Sequence, residues 1–321
     1  MKRDSLTFVS AGVDLDGWHF TGEGAAYEGA SGRPAVVMAH GLGGTKDSGH
    51  EPFATALAEA GLDVLAFDYR GFGASSGTPR QRVDLTGQVE DYRAAMAAAA
   101  RLPGVDPGRL VLWGVSLAGG HVLAAAAHRD DVAAVIALTP LVDGLAAGRL
   151  AARHHRPSAL LRSTAAGVRS RVGRSVTMPV VARPGELGAL TLPGHYEAYL
   201  ALAGPTWRNE VDASVGLALG SHRPGKQAKH VRAPLLVQIA DFDRSAPPHA
   251  AAKAAEAGRA EVRHYPCDHF DVWPGRDWFE PTVEHQLHFL RRHLRAAGDS
   301  DAPSPPPISD RSRMSRDTTS Q

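Results

Sequence analysis

The sequence predicts an α/β fold with a mostly parallel central sheet, helices on both faces and an inserted helical cap. Short apolar runs typical of buried strands alternate with helical segments, which favours a parallel sheet. This alternation stops after residue 143 and resumes at residue 231. We therefore predict a core in two parts, residues 1–143 and 231–296, with a cap insertion at 144–230. The Pro- and Ser-rich residues 297–321 are predicted to form a disordered tail.

The composition limits the partners that the chain is expected to have. Apolar residues make up 43% of the sequence and the formal net charge is +1, so no overall charge attracts the protein to nucleic acid or a membrane. The longest apolar runs, near residues 94–100 and 132–138, fall short of the roughly 20 residues of a membrane-spanning helix. The amino terminus lacks the apolar segment of a secretory signal. We expect a cytoplasmic protein that binds neither nucleic acid nor membrane.

The first part of the core alternates strands and helices up to residue 143. The amino-terminal segment alternates apolar and polar residues around Gly12 and Gly17, as a β-hairpin does. Glycine and proline residues that follow the helical segments mark their ends. The predicted elements are a hairpin over Leu6–Thr21, strands at Ala35–Ala39, Val64–Phe67, Leu110–Trp113 and Val132–Leu138, and helices at Glu51–Ala60, Asp84–Arg101 and after Gly120 to about Ala127.

The second part of the core repeats this pattern in fewer residues. An apolar run ending at Ile239 predicts a buried strand, and an Ala-rich segment that stops at Gly258 predicts a helix. The predicted elements are a strand over Ala233–Ile239, a helix over Pro248–Ala257, a strand over Ala260–Tyr265 and a last helix over Thr282–Leu294.

A nucleophile elbow is predicted around Ser116. This serine follows an apolar strand and precedes small residues and Ala-rich helical sequence. Such a turn needs small residues two positions before and after the serine, where strand and helix nearly touch. Gly114 meets this need, and Ala118 adds one methyl group where glycine is usual. Ser116 is therefore the candidate nucleophile; the alternative is a serine in an ordinary Gly-rich turn.

The predicted cap has two halves of different character. No acidic residue lies between residues 144 and 185, where arginines recur. They either attract a carboxylate or phosphate group of the substrate or form a solvated helix face. The aromatic residues of the second half either wall an acyl pocket or form the cap's own core. The arginines are Arg149, Arg153, Arg156, Arg162, Arg169, Arg171 and Arg174, and the aromatic residues include Tyr196, Tyr199 and Trp207.

Several motifs in a fixed order resemble the α/β-hydrolase superfamily, in particular its serine esterases, acyl hydrolases and prolyl-type peptidases. They are His40-Gly41, the turn at residues 68–73, the elbow at Ser116, and the segments containing Asp243 and His269. The resemblance covers residues 6–143 and 231–295. It implies a triad in the chain order Ser, acid, His, with the acid and the base on loops at the carboxyl edge of the sheet.

Two residues are candidates for the acid, Asp241 and Asp243. The family pattern places Asp four residues before Pro, and Asp243 with Pro247 fits this pattern. Asp241 is interpreted as a residue that caps the turn by bonding nearby backbone. We therefore favour Asp243.

The candidate base is His269. Other histidines lie near the end of the chain, among them His264, His285 and His288, but only His269 lies in the loop beyond the last predicted strand. Its Asp-His-Phe context is similar to the family's Gly-His-Phe segment, with Asp268 in place of the glycine.

The resemblance implies catalysis through an acyl-serine intermediate. A serine hydroxyl is a poor nucleophile near neutral pH, so His269 takes its proton and Asp243 fixes the imidazole tautomer and stabilises the imidazolium. The resemblance also assigns the oxyanion hole to the backbone N–H groups of Leu42 and Leu117. His40 either lines the oxyanion loop or supports it by a hydrogen bond.

We predict a serine hydrolase that cleaves a carboxylic ester, thioester or small amide, with a small-molecule acyl substrate as its partner. One alternative is an acyltransferase with the same triad, in which an alcohol or amine replaces water. Another is a non-catalytic binding protein, against which the complete triad argues. No cofactor and no metal are predicted, because the single cysteine, Cys267, excludes a cysteine-built site and the 16 histidines show no ligand spacing.

Overall fold

The apolar runs of the sequence form the strands of a central sheet. The structure is a computed structural model that describes residues 3–154, 157–172 and 176–294. Within these residues, eight strands form the central sheet in the order β1-β2-β4-β3-β5-β6-β9-β10, and β7 pairs with β8 in a separate small sheet. The strands are β1 (Arg3–Ser10), β2 (Val13–Phe20), β3 (Arg33–Ala39), β4 (Asp63–Phe67), β5 (Val105–Val115), β6 (Val132–Leu138), β7 (Thr177–Met178), β8 (Val211–Asp212), β9 (Leu235–Ala240) and β10 (Glu261–Tyr265).

The central sheet is mostly parallel. The pairs β1·β2 and β2·β4 are antiparallel, and every other neighbouring pair in the sheet is parallel. All five residues of β4 are buried, as expected for a parallel strand covered on both faces. The predicted fold class is confirmed.

Helices connect the parallel strands and cover the sheet. The connection from β3 to β4 runs toward one edge, and those from β4 to β5 and from β5 to β6 run toward the other. Because such crossovers are right-handed, α1 lies on the opposite face from α2 and α3. The helices are α1 (Glu51–Glu59), α2 (Leu85–Ala99), α3 (Leu117–Ala126), α4 (Gly144–His154), α5 (Pro157–Val172), α6 (His195–Leu202), α7 (Val215–Ser221), α8 (Pro248–Ala257) and α9 (Phe279–Leu294). No helix within the described residues is long and apolar enough to cross a membrane.

The segment between β6 and β9 contains α4 to α7 and the small sheet. The sequence pattern predicts helical pieces here and does not show β7 and β8, because two residues are too few to establish a period. A 3-10 helix at Pro224–His230 ends the segment and packs on α3 and α8. The predicted tail at 297–321 lies outside the described residues.

Several elements begin earlier than predicted, and β5 and α9 are two of them. Strand β5 starts at Val105 instead of residue 110, and its register against β3 shifts between the pairs Arg33–Val105 and Ala35–Leu110. Helix α9 starts at Phe279 and includes Pro281, which is tolerated because the first turn of a helix lacks intrahelical N–H partners.

Candidate active site

A strained turn between β5 and α3 carries Ser116. Its backbone has φ 57° and ψ −118°, values that a residue with a side chain adopts only under constraint. A Cβ atom on Gly114 would lie 2.3 Å from the carbonyl oxygen of Ala118, so only glycine fits there. Ala118 is fully buried, so the fold accommodates a methyl group at the position where a second glycine is usual. The predicted elbow geometry is present.

The structure brings together Ser116, His269 and Asp243. Ser116 Oγ lies 3.1 Å from His269 Nε2, and His269 Nδ1 donates to Asp243 Oδ2 at 2.6 Å. The other carboxylate oxygen, Oδ1, accepts from the backbone N–H groups of Ser245 and Ala246, both at 2.7 Å. With its proton on Nδ1, His269 presents a free lone pair at Nε2 toward the serine hydroxyl.

The other candidate acid lies elsewhere. Asp241 Oδ1 lies 2.6 Å from His264 Nδ1, and both side chains are substantially exposed. Asp243 and His269 are only 4% and 3% exposed, so their interaction is shielded from water. The geometry therefore favours Asp243 over Asp241.

The loop of residues 40–50, here called the β3 loop, passes directly over the serine. A Cβ atom on Gly41 would lie 3.0 Å from Ser116 Cβ. On the other side, Leu117 is the first residue of α3, where an N–H has no carbonyl partner within the helix. The backbone positions assigned to the oxyanion hole, Leu42 and Leu117, thus flank the serine from two elements.

His40 both lines the active-site cavity and supports the β3 loop. Its Nδ1 donates to the carbonyl oxygen of Gly41 at 3.0 Å. Burial lowers the pKa of His40 to about 4, and the hydrogen bond to Gly41, which raises this pKa, offsets only part of the decrease. The imidazole is therefore neutral near pH 7. Because Gly41 C=O and Leu42 N–H belong to one planar peptide, this bond also fixes the direction of the Leu42 N–H.

A cavity of about 260 Å³ opens at Ser116 and is walled by both the core and the cap. This volume is close to the lower end for small-molecule sites, about 300 Å³. Its walls are largely apolar, with a few polar side chains among them. The apolar residues include Leu141, Ala147, Ala151, Leu190, Leu192, Leu202, Leu219, Phe270 and Trp273.

A family sequence model described as alpha/beta hydrolase fold matches residues 34–276, which is more than half of the chain. The chain belongs to the α/β-hydrolase family. The resemblance predicted from the sequence motifs is confirmed. The protein is an esterase-like enzyme of this family.

Individual relatives of this α/β-hydrolase carry several functional names. Quorum-quenching protein AidA of Acinetobacter baumannii (strain MDR-ZJ06) is 36% identical over 267 residues, 81% of this chain and 86% of that protein. Polyketide transferase grgF of Penicillium sp is 37% identical over 144 residues, 44% of this chain and 47% of that protein. The structure of a monoacylglycerol lipase from Paleococcus ferrophilus aligns with 87% of this chain and with 99% of the lipase chain. The TM-score is 0.63 and the sequence identity is 21%, which shows a shared fold.

Aromatic residues of the cap hold the β3 loop of this α/β-hydrolase. Tyr199 Oη donates to the carbonyl oxygen of Leu42, and Trp207 Nε1 donates to that of Gly43, each at 2.9 Å. The two rings lie 5.3 Å apart, and Tyr199 also lines the cavity. The sequence left open whether these aromatic residues wall a pocket or form the cap's core. Tyr199 does the former and, with Trp207, also positions the loop, a role that the sequence does not indicate.

Replacing Tyr199 with phenylalanine tests this support. The variant keeps the ring and removes only the hydrogen bond to Leu42, so we expect kcat to fall about tenfold, as for one lost hydrogen bond of about 1.4 kcal/mol, with little change in KM. Steady-state kinetics on p-nitrophenyl butyrate measure this. Tyr196→Phe is the matched control, because Tyr196 stacks under Arg183 away from the loop. Equal kcat values for the two variants would contradict the assignment.

The cap arginines that the structure describes do not line the cavity. Arg149, Arg153, Arg162, Arg169 and Arg171 are exposed, and none of these described residues is among the cavity walls. Arg156 and Arg174 lie outside the described residues. The geometry favours the solvated-face interpretation for the arginines that the structure describes.

Two charged groups near the site were not expected from the sequence. Lys46 is buried and lies 2.5 Å from Asp16 and 2.7 Å from Asp68, which ties the β1–β2 hairpin to the β3 loop. Burial lowers the pKa of Lys46, but the two carboxylates outweigh burial and raise it overall, so the cation persists. The contacting residues are far apart in sequence, and no local motif indicates them.

The second group is Asp268, which occupies the usual glycine position before the histidine. Its Oδ1 accepts from the backbone N–H of His269 at 2.8 Å, and its Oδ2 accepts from Arg244 Nε at 2.7 Å. Burial raises the pKa of this carboxyl, but the nearby His195 and the hydrogen bonds from Arg244 and the backbone hold it far below its usual value. Asp268 is therefore charged throughout the working pH range and lies against the candidate base.

The charge of Asp268 predicts the direction of a pH effect. Burial lowers the pKa of His269, but Asp243 and, less strongly, Asp268 outweigh burial and raise it above 6.5. A general base must be unprotonated, so kcat/KM is expected to fall on the acid side with a midpoint above 6.5.

Asp268→Asn removes negative charge near His269 and leaves Arg244 unneutralised. Both changes disfavour the imidazolium, so the acid midpoint is expected to move to lower pH. The pH profile of kcat/KM for the parent and Asp268→Asn measures the shift. A midpoint that stays in place or rises would refute this electrostatic account.

Proposed function

We propose that this α/β-hydrolase cleaves small carboxylic esters or thioesters with an apolar acyl group, through an acyl intermediate on Ser116. The observation that supports this most directly is the pair of hydrogen bonds joining Ser116 Oγ, His269 and Asp243 at 3.1 and 2.6 Å. His269 takes the serine proton as Oγ attacks the carbonyl carbon, and Asp243 stabilises the resulting imidazolium. The N–H groups of Leu42 and Leu117 bind the oxyanion.

The rest of the cycle uses the same groups. The imidazolium of His269 gives its proton to the leaving alcohol or thiol, which departs and leaves the acyl group on Ser116. Water then attacks that acyl group while His269 again acts as base, and the acid is released. The apolar cavity walls support a hydrocarbon acyl group, because polar acyl chains lose hydrogen bonds with water there.

Acyl transfer is the second candidate. Its support is the relative named polyketide transferase, which matches 44% of this chain at 37% identity. In this reaction an alcohol or amine that occupies the cavity takes the place of water in the second half of the cycle. The first half, including acylation of Ser116, is unchanged.

The test is hydrolysis of p-nitrophenyl acetate, butyrate and octanoate, with a p-nitroanilide peptide alongside and fluorophosphonate labelling of the same preparation. We expect labelling, ester turnover, and a preference for butyrate or octanoate over acetate. An added alcohol that appears in an ester product identifies transfer. A folded protein that shows neither labelling nor turnover would refute both candidates.

A further inference from the structure

A buried imidazole in the cavity wall has no assigned task in the proposed cycle. His195, at the start of α6, is 2% exposed and lines the cavity. Neither of its ring nitrogens forms a hydrogen bond with any residue that the structure describes. Its Nε2 lies 3.9 Å from Asp268 Oδ2, which is too far for a hydrogen bond. A buried polar group without a partner is costly, so this side chain points to a bound ligand group.

A second polar group in the same wall is also unpaired. The hydroxyl oxygen of Ser245 is buried and lacks a hydrogen-bond partner among residues 3–154, 157–172 and 176–294. Ser245 follows Arg244, and both line the cavity together with His195. The cap and the loop after β9, residues 241–247, thus each present an unsatisfied polar side chain to a largely apolar space. His40 and His50 also line this space with ring nitrogens that are unpaired among the described residues, but they belong to the β3 loop.

Both groups lie on the side of the cavity where the candidate base stands. The ring of Phe270 lies 5.2 Å from that of His269 and 5.0 Å from that of His195. Ser245 donates its backbone N–H to Asp243, the partner of His269. In the proposed cycle His269 gives its proton to the leaving group, so the leaving group must lie on this side, whereas the β3 loop faces the carbonyl oxygen.

The local charges favour an uncharged ligand group. Among the described residues, Arg244 is the one arginine or lysine that lines the cavity. Its Nε and Nη2 are both bonded to Asp268. A carboxylate or phosphate would have to compete with Asp268 for this guanidinium. The imidazole of His195 and the hydroxyl of Ser245 both form hydrogen bonds, and an amide or a hydroxyl of the ligand provides matching partners.

We propose that the leaving alcohol or thiol of the substrate carries an uncharged hydrogen-bonding group, an amide or a hydroxyl, that binds to His195 and Ser245. The acyl group then occupies the apolar remainder of the cavity. This inference rests on the proposed acyl-serine hydrolysis. A site with such polar groups discriminates against a leaving group that lacks them, because the polar groups are then left buried and unpaired.

The test compares two octanoyl thioesters that differ in the leaving group. One leaving group is N-acetylcysteamine, which bears an amide, and the other is pentanethiol, which has the same chain length without polar atoms. The ratio of their kcat/KM values, divided by the ratio of their hydroxide-catalysed rates, removes intrinsic reactivity. We expect the parent to favour the amide thioester by at least about tenfold, and His195→Phe to abolish that preference.

Three further variants separate the loss of the polar group at His195 from a loss of folding. Glu197→Gln, on the exposed side of α6, should retain the full preference. His195→Gln restores a donor and an acceptor and should retain part of it, and Ser245→Ala should lower it, so the outcome does not depend on the folding of His195→Phe alone.

Two results are separately informative. A parent that hydrolyses p-nitrophenyl esters but shows no corrected preference, or a preference that survives in His195→Phe, overturns this inference and leaves the proposed function intact. A parent that is unlabelled by fluorophosphonate and inactive on every ester overturns both.

Discussion

Ser116→Ala is expected to lower kcat/KM for p-nitrophenyl butyrate by about 10³ to 10⁶. The substitution removes the only oxygen that the structure places 3.1 Å from His269 Nε2 among the described side chains. The cavity and the N–H groups of Leu42 and Leu117 remain, so the residual rate measures substrate binding and oxyanion stabilisation without covalent catalysis. Because alanine retains Cβ, the packing of this atom in the elbow is unchanged.

Fluorophosphonate labelling separates the loss of the nucleophile from a loss of folding. Ser116→Ala should bind none of the reagent and should melt within a few degrees of the parent. Ser221→Ala is the control, because Ser221 is exposed and its hydroxyl donates to the carbonyl oxygen of Ala218. Covalent labelling that persists in Ser116→Ala would assign the nucleophile elsewhere.

Asp243→Asn is expected to lower kcat by about 10⁴ with little change in the fold. Backbone N–H groups of Ser245 and Ala246 hold Oδ1 at 2.7 Å, so the amide oxygen of asparagine stays there. The NH2 group then faces His269 Nδ1 and donates to it. This forces the proton of the imidazole onto Nε2, where it cannot accept the serine proton.

The control for this variant is Asp241→Asn. Asp241 pairs with His264 near the surface, and we expect its replacement to leave kcat within about twofold of the parent, as for a surface ion pair. Stopped-flow or steady-state turnover of the butyrate ester measures both variants. A larger loss in Asp241→Asn than in Asp243→Asn would reverse the choice of acid.

The central sheet and the elbow could be predicted because their causes are local. Buried parallel strands appear as apolar runs, and the strand-to-helix turn at Ser116 requires small residues at fixed positions. The chain order Ser, acid, His came from the resemblance to the family, and Ser116, Asp243 and His269 each follow a predicted strand. Because the carboxyl ends of parallel strands meet at one edge of the sheet, these positions bring the three side chains to that edge.

The supporting contacts could not be predicted because they join distant segments. Tyr199 and Leu42 are separated by 157 positions, and Lys46 and Asp68 by 22, with no periodic pattern connecting them. The sequence showed Asp268 as a departure from the family pattern, but its meaning depends on Arg244, which only the fold brings within reach. The small sheet of the cap was missed for a related reason, since two-residue strands carry no period.

The two hydrogen bonds from the cap to the β3 loop restrict which caps the core of this enzyme is able to carry. Tyr199 and Trp207 belong to the segment that shapes the cavity, yet their donors hold the carbonyl oxygens of Leu42 and Gly43. A chimaera that received a foreign cap would keep its serine, histidine and aspartate and still lose this support. Evolutionary changes of substrate range by cap exchange therefore require that the incoming cap bring equivalent donors.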